Sequence, residues 1–221
     1  MSRPRPVVAI DGSAGAGKST LARRLAERLD LPYVNTGLMY RALTLVALRE
    51  GADLQDGPGL GEVARRMTFD LDPSLRPPEL SIDGAAPEPA LTSPEVESSV
   101  SVVARHPEVR ALLRAEQRRL AEGGAVVEGR DIGGVVAPGA DAKIFLRAQA
   151  SERIARRASE RRVVTGEVGL ALTARDALDA HTNPLEPAED AFVIDTTEMM
   201  PDAVFEAALA FVRTRLRGVG R

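Results

Sequence analysis

Gly12, Gly17, Lys18 and Ser19 satisfy the spacing GxxxxGK followed by Ser or Thr, and that spacing belongs to a loop that holds a chain of phosphates. Along Gly12, Ser13, Ala14, Gly15, Ala16, Gly17, Lys18, Ser19 and Thr20 the small side chains let the backbone close around an anion with its N–H groups turned inward. A helix starting near Lys18 adds the positive end of its dipole, and the Lys18 ammonium sets a compact charge against the β and γ phosphates. The Ser19 hydroxyl is then the expected magnesium ligand. The lysine is informative in itself. Of 29 basic residues only Lys18 and Lys143 are lysines and 27 are arginines, so a lysine in this loop runs against the habit of the chain. By the same bias no arginine stands out through its type alone, and position must decide.

A phosphate loop serves switches, motors, transporters and phosphotransferases alike, so other residues must discriminate. Guanine-nucleotide switches use an Asn-Lys-x-Asp element that is missing here, and Asp131-Ile132-Gly133-Gly134 fits only a loose DxxG pattern. Motor ATPases carry adjacent acids after a hydrophobic strand, whereas Val126 and Val127 lead into Glu128-Gly129-Arg130-Asp131, where two acids flank an arginine. With no cysteine, disulfides, thiolate metal sites and thiol nucleophiles are excluded. The only histidines are His106 and His181, so any metal falls to oxygen ligands. The net charge of −3 argues against a grip on nucleic acid. Apolar runs stay far below the roughly 20 residues of a membrane span, and the first eight residues lack a signal-peptide core, so a cytoplasmic location is expected.

The elements that must position these groups follow from periodicity. Residues 7–10 form a β-branched run, the glycine loop follows, and Leu21, Leu25 and Leu29 recur at helical spacing: strand, loop, helix. A second strand is predicted at 33–34 and a helix from Leu38 to near Gly51. Prolines 58, 73, 77, 78, 87, 89 and 94 then mark a change of texture. Alternation at Met67, Phe69 and Leu71 and at Leu80 and Ile82 predicts a small antiparallel insert behind a short helix at 59–66, with Asp83-Gly84 as a hairpin turn. Helices are predicted at 95–105, 108–122, 151–162, 170–180 and 203–216, and strands at 125–127, 143–146 and 192–194. Strands alternating with helices imply an α/β fold with a parallel sheet covered on both faces. The length of 221 residues suits one domain with an insertion.

Several motifs together resemble the bacterial-type cytidylate kinases, a branch of the nucleoside monophosphate kinases. They are DGSAGAGKST at 11–20, TGLMYR at 36–41, VRALL at 109–113, VEGRDIGGV at 127–135, KIFL at 143–146, Arg175-Asp176, and DAFVIDTT at 190–197. The resemblance spans nearly the whole chain. It implies a five-stranded parallel sheet of order 2-3-1-4-5, a monophosphate-binding insert over 57–105, and a short lid over 151–166. It further implies transfer of the γ-phosphate of ATP to CMP and dCMP, with Mg2+ as cofactor. Arg41, Arg130 and Arg175 match positions on the acceptor phosphate, Ser101, Arg110 and Asp131 match positions around cytosine, and Thr36, Tyr40 and Asp179 complete the implied substrate site. Arg153 and Arg157, at the entry to the lid, would reach ATP and join Lys18 and Arg130 in catalysis.

Such an inventory suits the reaction. An acceptor monophosphate brings its own anionic oxygen, so the enzyme has to align two phosphates and neutralise charge, and planar guanidinium groups do both. The chain also departs from the family: Gly134 stands where a threonine is usual, and the segment just after Asp179, Ala180 to Pro184, lacks the second arginine usual there. Kinases of AMP, UMP or shikimate, and a regulatory nucleotide-binding protein, remain the competing expectations. Small size and the absence of a coiled-coil pattern favour a monomer.

Overall fold

The structure is a computed structural model that describes residues 5–161 and 186–218. Strand β1 (Val8–Gly12) is buried along its whole length and lies between β5 (Val126–Glu128) and β6 (Ala142–Arg147), parallel to both. Beyond β5 lies β2 (Tyr33–Asn35), and beyond β6 lies β7 (Phe192–Asp195), again parallel. Counted alone, these five strands have the expected order 2-3-1-4-5.

The sheet is larger than expected. Strands β3 (Phe69–Asp72) and β4 (Glu79–Ile82) pair antiparallel with each other, and β4 joins β2 through Tyr33 opposite Glu79, so among the described residues the sheet has seven strands and is mixed. The insert is therefore an extension of the main sheet, because its hairpin covers the otherwise open edge of β2. Residues 73–78 connect β3 to β4. Asp83 and Gly84, both at positive φ, close a tight turn that yields a single bridge, Ile82 to Ala85. Pro87 and Pro89 follow at once and lack the N–H groups a longer ladder would use.

Two-residue periodicity splits the core between the faces of the sheet. Val8, Ile10, Val126, Ile144 and Leu146 pack with Leu21 and Leu25 of α1 (Lys18–Leu29) and Leu209 and Val212 of α7 (Pro201–Gly218). Ala9, Val34 and Val127 point the other way, into α2 (Thr36–Arg49), α3 (Gly57–Arg66), α4 (Pro94–Ala104) and α5 (Pro107–Ala121). Each fully buried Leu, Ile or Val contributes about 1.5–3 kcal/mol, and these two layers fix the sheet on which the site stands. Helix α6 (Ala150–Arg161) follows β6 directly. Among the described residues no helix is long and apolar enough to cross a membrane.

Candidate active site

The phosphate loop leaves β1 at Gly12, whose φ of 146° and closeness to β6 admit no side chain: a Cβ there would lie 2.1 Å from the Leu146 carbonyl oxygen. At its other end Gly17 adopts φ 93° and caps α1 without a side-chain hydrogen bond, so the first N–H groups of the helix face the loop uncapped. Lys18 Nζ donates to the Ser13 carbonyl at 2.9 Å, which arches the side chain over the loop. Arg153 of α6 is buried and donates to the Ala14 carbonyl at 3.1 Å. It thus braces the outside of the loop and lines neither of the cavities described below.

An acidic cluster lies beneath the loop at the carboxyl ends of the parallel strands, where ligands of open α/β sheets bind. Glu128, buried at the end of β5, accepts from the Ser19 hydroxyl at 3.1 Å and from the Tyr33 hydroxyl at 2.5 Å. Burial pushes its carboxyl above the usual range against the opposing pull of Lys18, Tyr33 and Ser19. The phenol of Tyr33 is pushed up as well, through burial and the adjacent Glu128. Asp11 accepts from the backbone N–H groups of Ile132 and Gly133, each at 2.7 Å, and so ties β1 to the turn after β5. Burial raises its carboxyl too, more than those two N–H groups lower it. The Thr36 hydroxyl donates to the Glu128 carbonyl at 2.8 Å, joining the start of α2 to the same point.

A cavity of about 390 Å3 opens above this cluster, and most of the residues expected from sequence line it. Lys18, Ser19 and Thr20 form one wall, Thr36, Tyr40 and Arg41 of α2 another, and Ser101, Arg110, Arg130, Asp131 and Arg157 complete it. Arg41 is buried and donates from Nη1 to the Leu91 carbonyl at 3.1 Å. Asp131 holds two cations: Arg114 makes the closer contact, and Arg110 stands at 3.4 Å. The phenol of Tyr40 is raised by burial and by the charge of Asp131. Arg175, Asp179 and His181 lie outside the described residues.

Sequence reasoning did not single out Glu128, Asp11 or Arg114 as site residues. Asp11 is the next-to-last residue of the first strand of the parallel core and Glu128 the last of the third, positions that are a signal once those strands are recognised; Arg114 follows Arg110 by one helical turn. A second cavity of about 550 Å3 was also missed. It lies behind the loop, between Thr20, Leu21 and Arg24 of α1, Ala155 and Arg156 of α6, and Met199, Met200 and Val204. Arg156 is held there by the Thr196 carbonyl at 2.6 Å and hydroxyl at 3.1 Å. Most of its lining is apolar.

A phosphate loop with one cavity on either side, one rimmed by arginines and one largely apolar, is the arrangement of a P-loop phosphotransferase. The family model for cytidylate kinase matches residues 8–214, and the chain belongs to that family. It is 45% identical to a cytidylate kinase of Exiguobacterium sibiricum, over 89% of this chain and 92% of the relative. Cytidylate kinases of Desulforamulus reducens (44%, over 93% and 96% of the two chains) and Geobacillus kaustophilus (43%, over 95% and 97%) are similarly close. Among solved structures, an uncharacterized protein of Eubacterium ventriosum shares the fold, with a TM-score of 0.53 at 11% identity over 95% of this chain and 99% of that one.

Proposed function

We infer that this protein transfers the γ-phosphate of ATP to CMP, giving CDP and ADP, and that dCMP is a second acceptor. The observation that carries this reading is the single cavity in which Lys18 and Ser19 face Arg41, Arg130 and Arg157 beside the Ser101, Arg110 and Asp131 group. Membership in the cytidylate kinase family supports the choice of acceptor.

Catalysis here is alignment and charge neutralisation. The acceptor phosphate, held by Arg41 and Arg130, presents an oxygen to the γ-phosphate, and no general base is required. Lys18 and the uncapped N–H groups of α1 balance the charge that spreads over the transferred group. Arg157, on the lid helix, reaches the same space, and Arg153 acts through the loop backbone it braces. Arg175 and Asp179 belong to this reading by sequence alone. Ser19 Oγ beside the Glu128 carboxylate is an all-oxygen donor set that fits Mg2+, which keeps several waters and takes further oxygens from phosphates. These two residues would hold the ion, which would supply neutralisation of the charge on the transferred phosphate. Residues 57–105 serve as the monophosphate-binding part and 151–166 as the lid. The protein acts as a cytoplasmic monomer, independent of membrane and nucleic acid.

The test is coupled ADP release across CMP, dCMP, AMP, UMP and shikimate, with the phosphorylated product identified. CMP is expected to give the largest kcat/KM. A larger value for AMP, UMP or shikimate would overturn the acceptor assignment, and ADP released without phosphorylated product would point to a regulatory nucleotide-binding protein.

A further inference from the structure

Glu97 stands on α4 one helical turn before Ser101, on the face that turns toward the acceptor cavity. Its Oε1 accepts from Arg157 Nη2 at 2.9 Å and lies 3.0 Å from Arg41 Nη1. One carboxylate oxygen therefore bridges two guanidinium groups from distant parts of the chain, one on α2 and one on α6. The bridge is sheltered, with side-chain exposures of 14% for Glu97, 9% for Arg41 and 24% for Arg157. Both arginines line the cavity in which an acceptor's phosphate would lie.

We propose that Glu97 is the resident counter-ion of this clamp, holding Arg41 and Arg157 in position until an acceptor phosphate takes them over. The proposal rests on the reading of these arginines as phosphate ligands. Guanidinium groups take carboxylate and phosphate oxygens with the same fork geometry, so a carboxylate can occupy their donors before substrate arrives. A phosphate dianion brought to the same donors meets the Glu97 charge at short range in a part-buried site, where repulsion is poorly screened. Binding is thus an exchange. The arginines stay ordered throughout, and acceptor affinity is reduced by the pairs that must be broken. Glu97 acts through the arginines and is a positioning residue; by bridging α4 to α6 it also ties the insert to the lid helix before substrate arrives.

The experiment compares wild type, Glu97→Gln and Glu97→Asp. With the loop filled by a non-hydrolysable ATP analogue, inorganic phosphate is titrated by thermal shift, and CMP kinetics are measured in parallel. Removing the competing charge while keeping side-chain size is expected to tighten phosphate binding by about three- to tenfold, the range of a part-buried ion pair. KM for CMP should fall by a similar factor, and any change in KM for ATP, transmitted through Arg157, should be smaller. Glu97→Asp, whose carboxylate is one methylene short of bridging both arginines, should shift the same way by less; if Glu97→Gln does not fold, this variant decides. Weaker phosphate binding with a raised KM for CMP would overturn the proposal, since Glu97 would then shape the arginines for substrate. Equal phosphate affinity in all three proteins would overturn it as well, with the phosphate reading intact. Phosphate that stabilises none of them removes the phosphate reading and the proposal together, whereas tighter phosphate binding without CMP turnover would leave the exchange standing and refute only the choice of acceptor.

Discussion

Asp131 carries two guanidinium groups, and their order bears on how a base would be read. Arg114 holds the carboxylate more closely, while Arg110 at 3.4 Å lines the cavity directly. Cytosine offers an amino donor at position 4 and an acceptor at N3, so a fixed carboxylate and a guanidinium suit it. Uracil reverses both and leaves groups unpaired, at roughly 1–3 kcal/mol each, enough for a tenfold to hundredfold preference. Asp131→Ala should therefore lower kcat/KM for CMP far more than for UMP, and Arg114→Met should shrink the same ratio by less while KM for ATP holds. Equal losses toward both nucleotides in the two variants would remove the base-reading role. The loop could be read from residue types, and so could the rarity of lysine. Lys18 crosses the loop, whereas Lys143, the other lysine, is paired with Asp190 at 2.8 Å. Type alone did not separate Arg110 from Arg114, because both lie on one face of α5 and only the position of Asp131 across the cavity distinguishes them.

Helix α6 shows what an element adds. Within five residues it sends Arg153 to the loop backbone at Ala14, Arg156 to Thr196 beyond β7, and Arg157 to Glu97 on α4. A charge-rich helix with such a sequence reads as a solvated face, yet three of its arginines each tie a different neighbour. When donor and acceptor phosphates bind, these ties should consolidate, because the guanidinium groups then gain charged partners in a site closed to water. Hydrogen exchange across 151–161 is expected to slow on addition of a bisubstrate analogue. Unchanged exchange there would refute the lid role. The antiparallel hairpin was legible from alternation, but its docking on β2 was not, since an open strand edge carries no mark in the sequence of the strand that will cover it.

At the scale of the whole molecule, the buried Glu128 sets a relation between stability and pH. Its carboxyl is raised in the folded protein, so its contribution to stability is fully present below the unfolded value near 4.5 and is lost as pH rises through the folded value. Glu128→Gln should therefore be more stable than wild type at neutral pH, by on the order of 2–4 °C in Tm per kcal/mol gained, with the gap closing below about pH 4. Asp11 is raised in the same direction, so some pH dependence should persist in the variant. Activity should fall in parallel, since the carboxylate beside Ser19 is lost. Identical Tm profiles across pH for the two proteins would contradict this account. The residue order alone determined the phosphate loop and the alternation of strand and helix, because those depend on local geometry and periodicity, while the five-strand order and most residues of the cavity beside the loop followed from motifs that resemble a known family. Only the tertiary structure decided that the insert extends the main sheet, that Glu128 and Asp11 lie buried under the loop, that Arg114 takes the closer hold on Asp131, and that Glu97 bridges Arg41 and Arg157. Those features depend on which distant segments are brought together and how far water is excluded from between them, and neither is a property of any short stretch of chain.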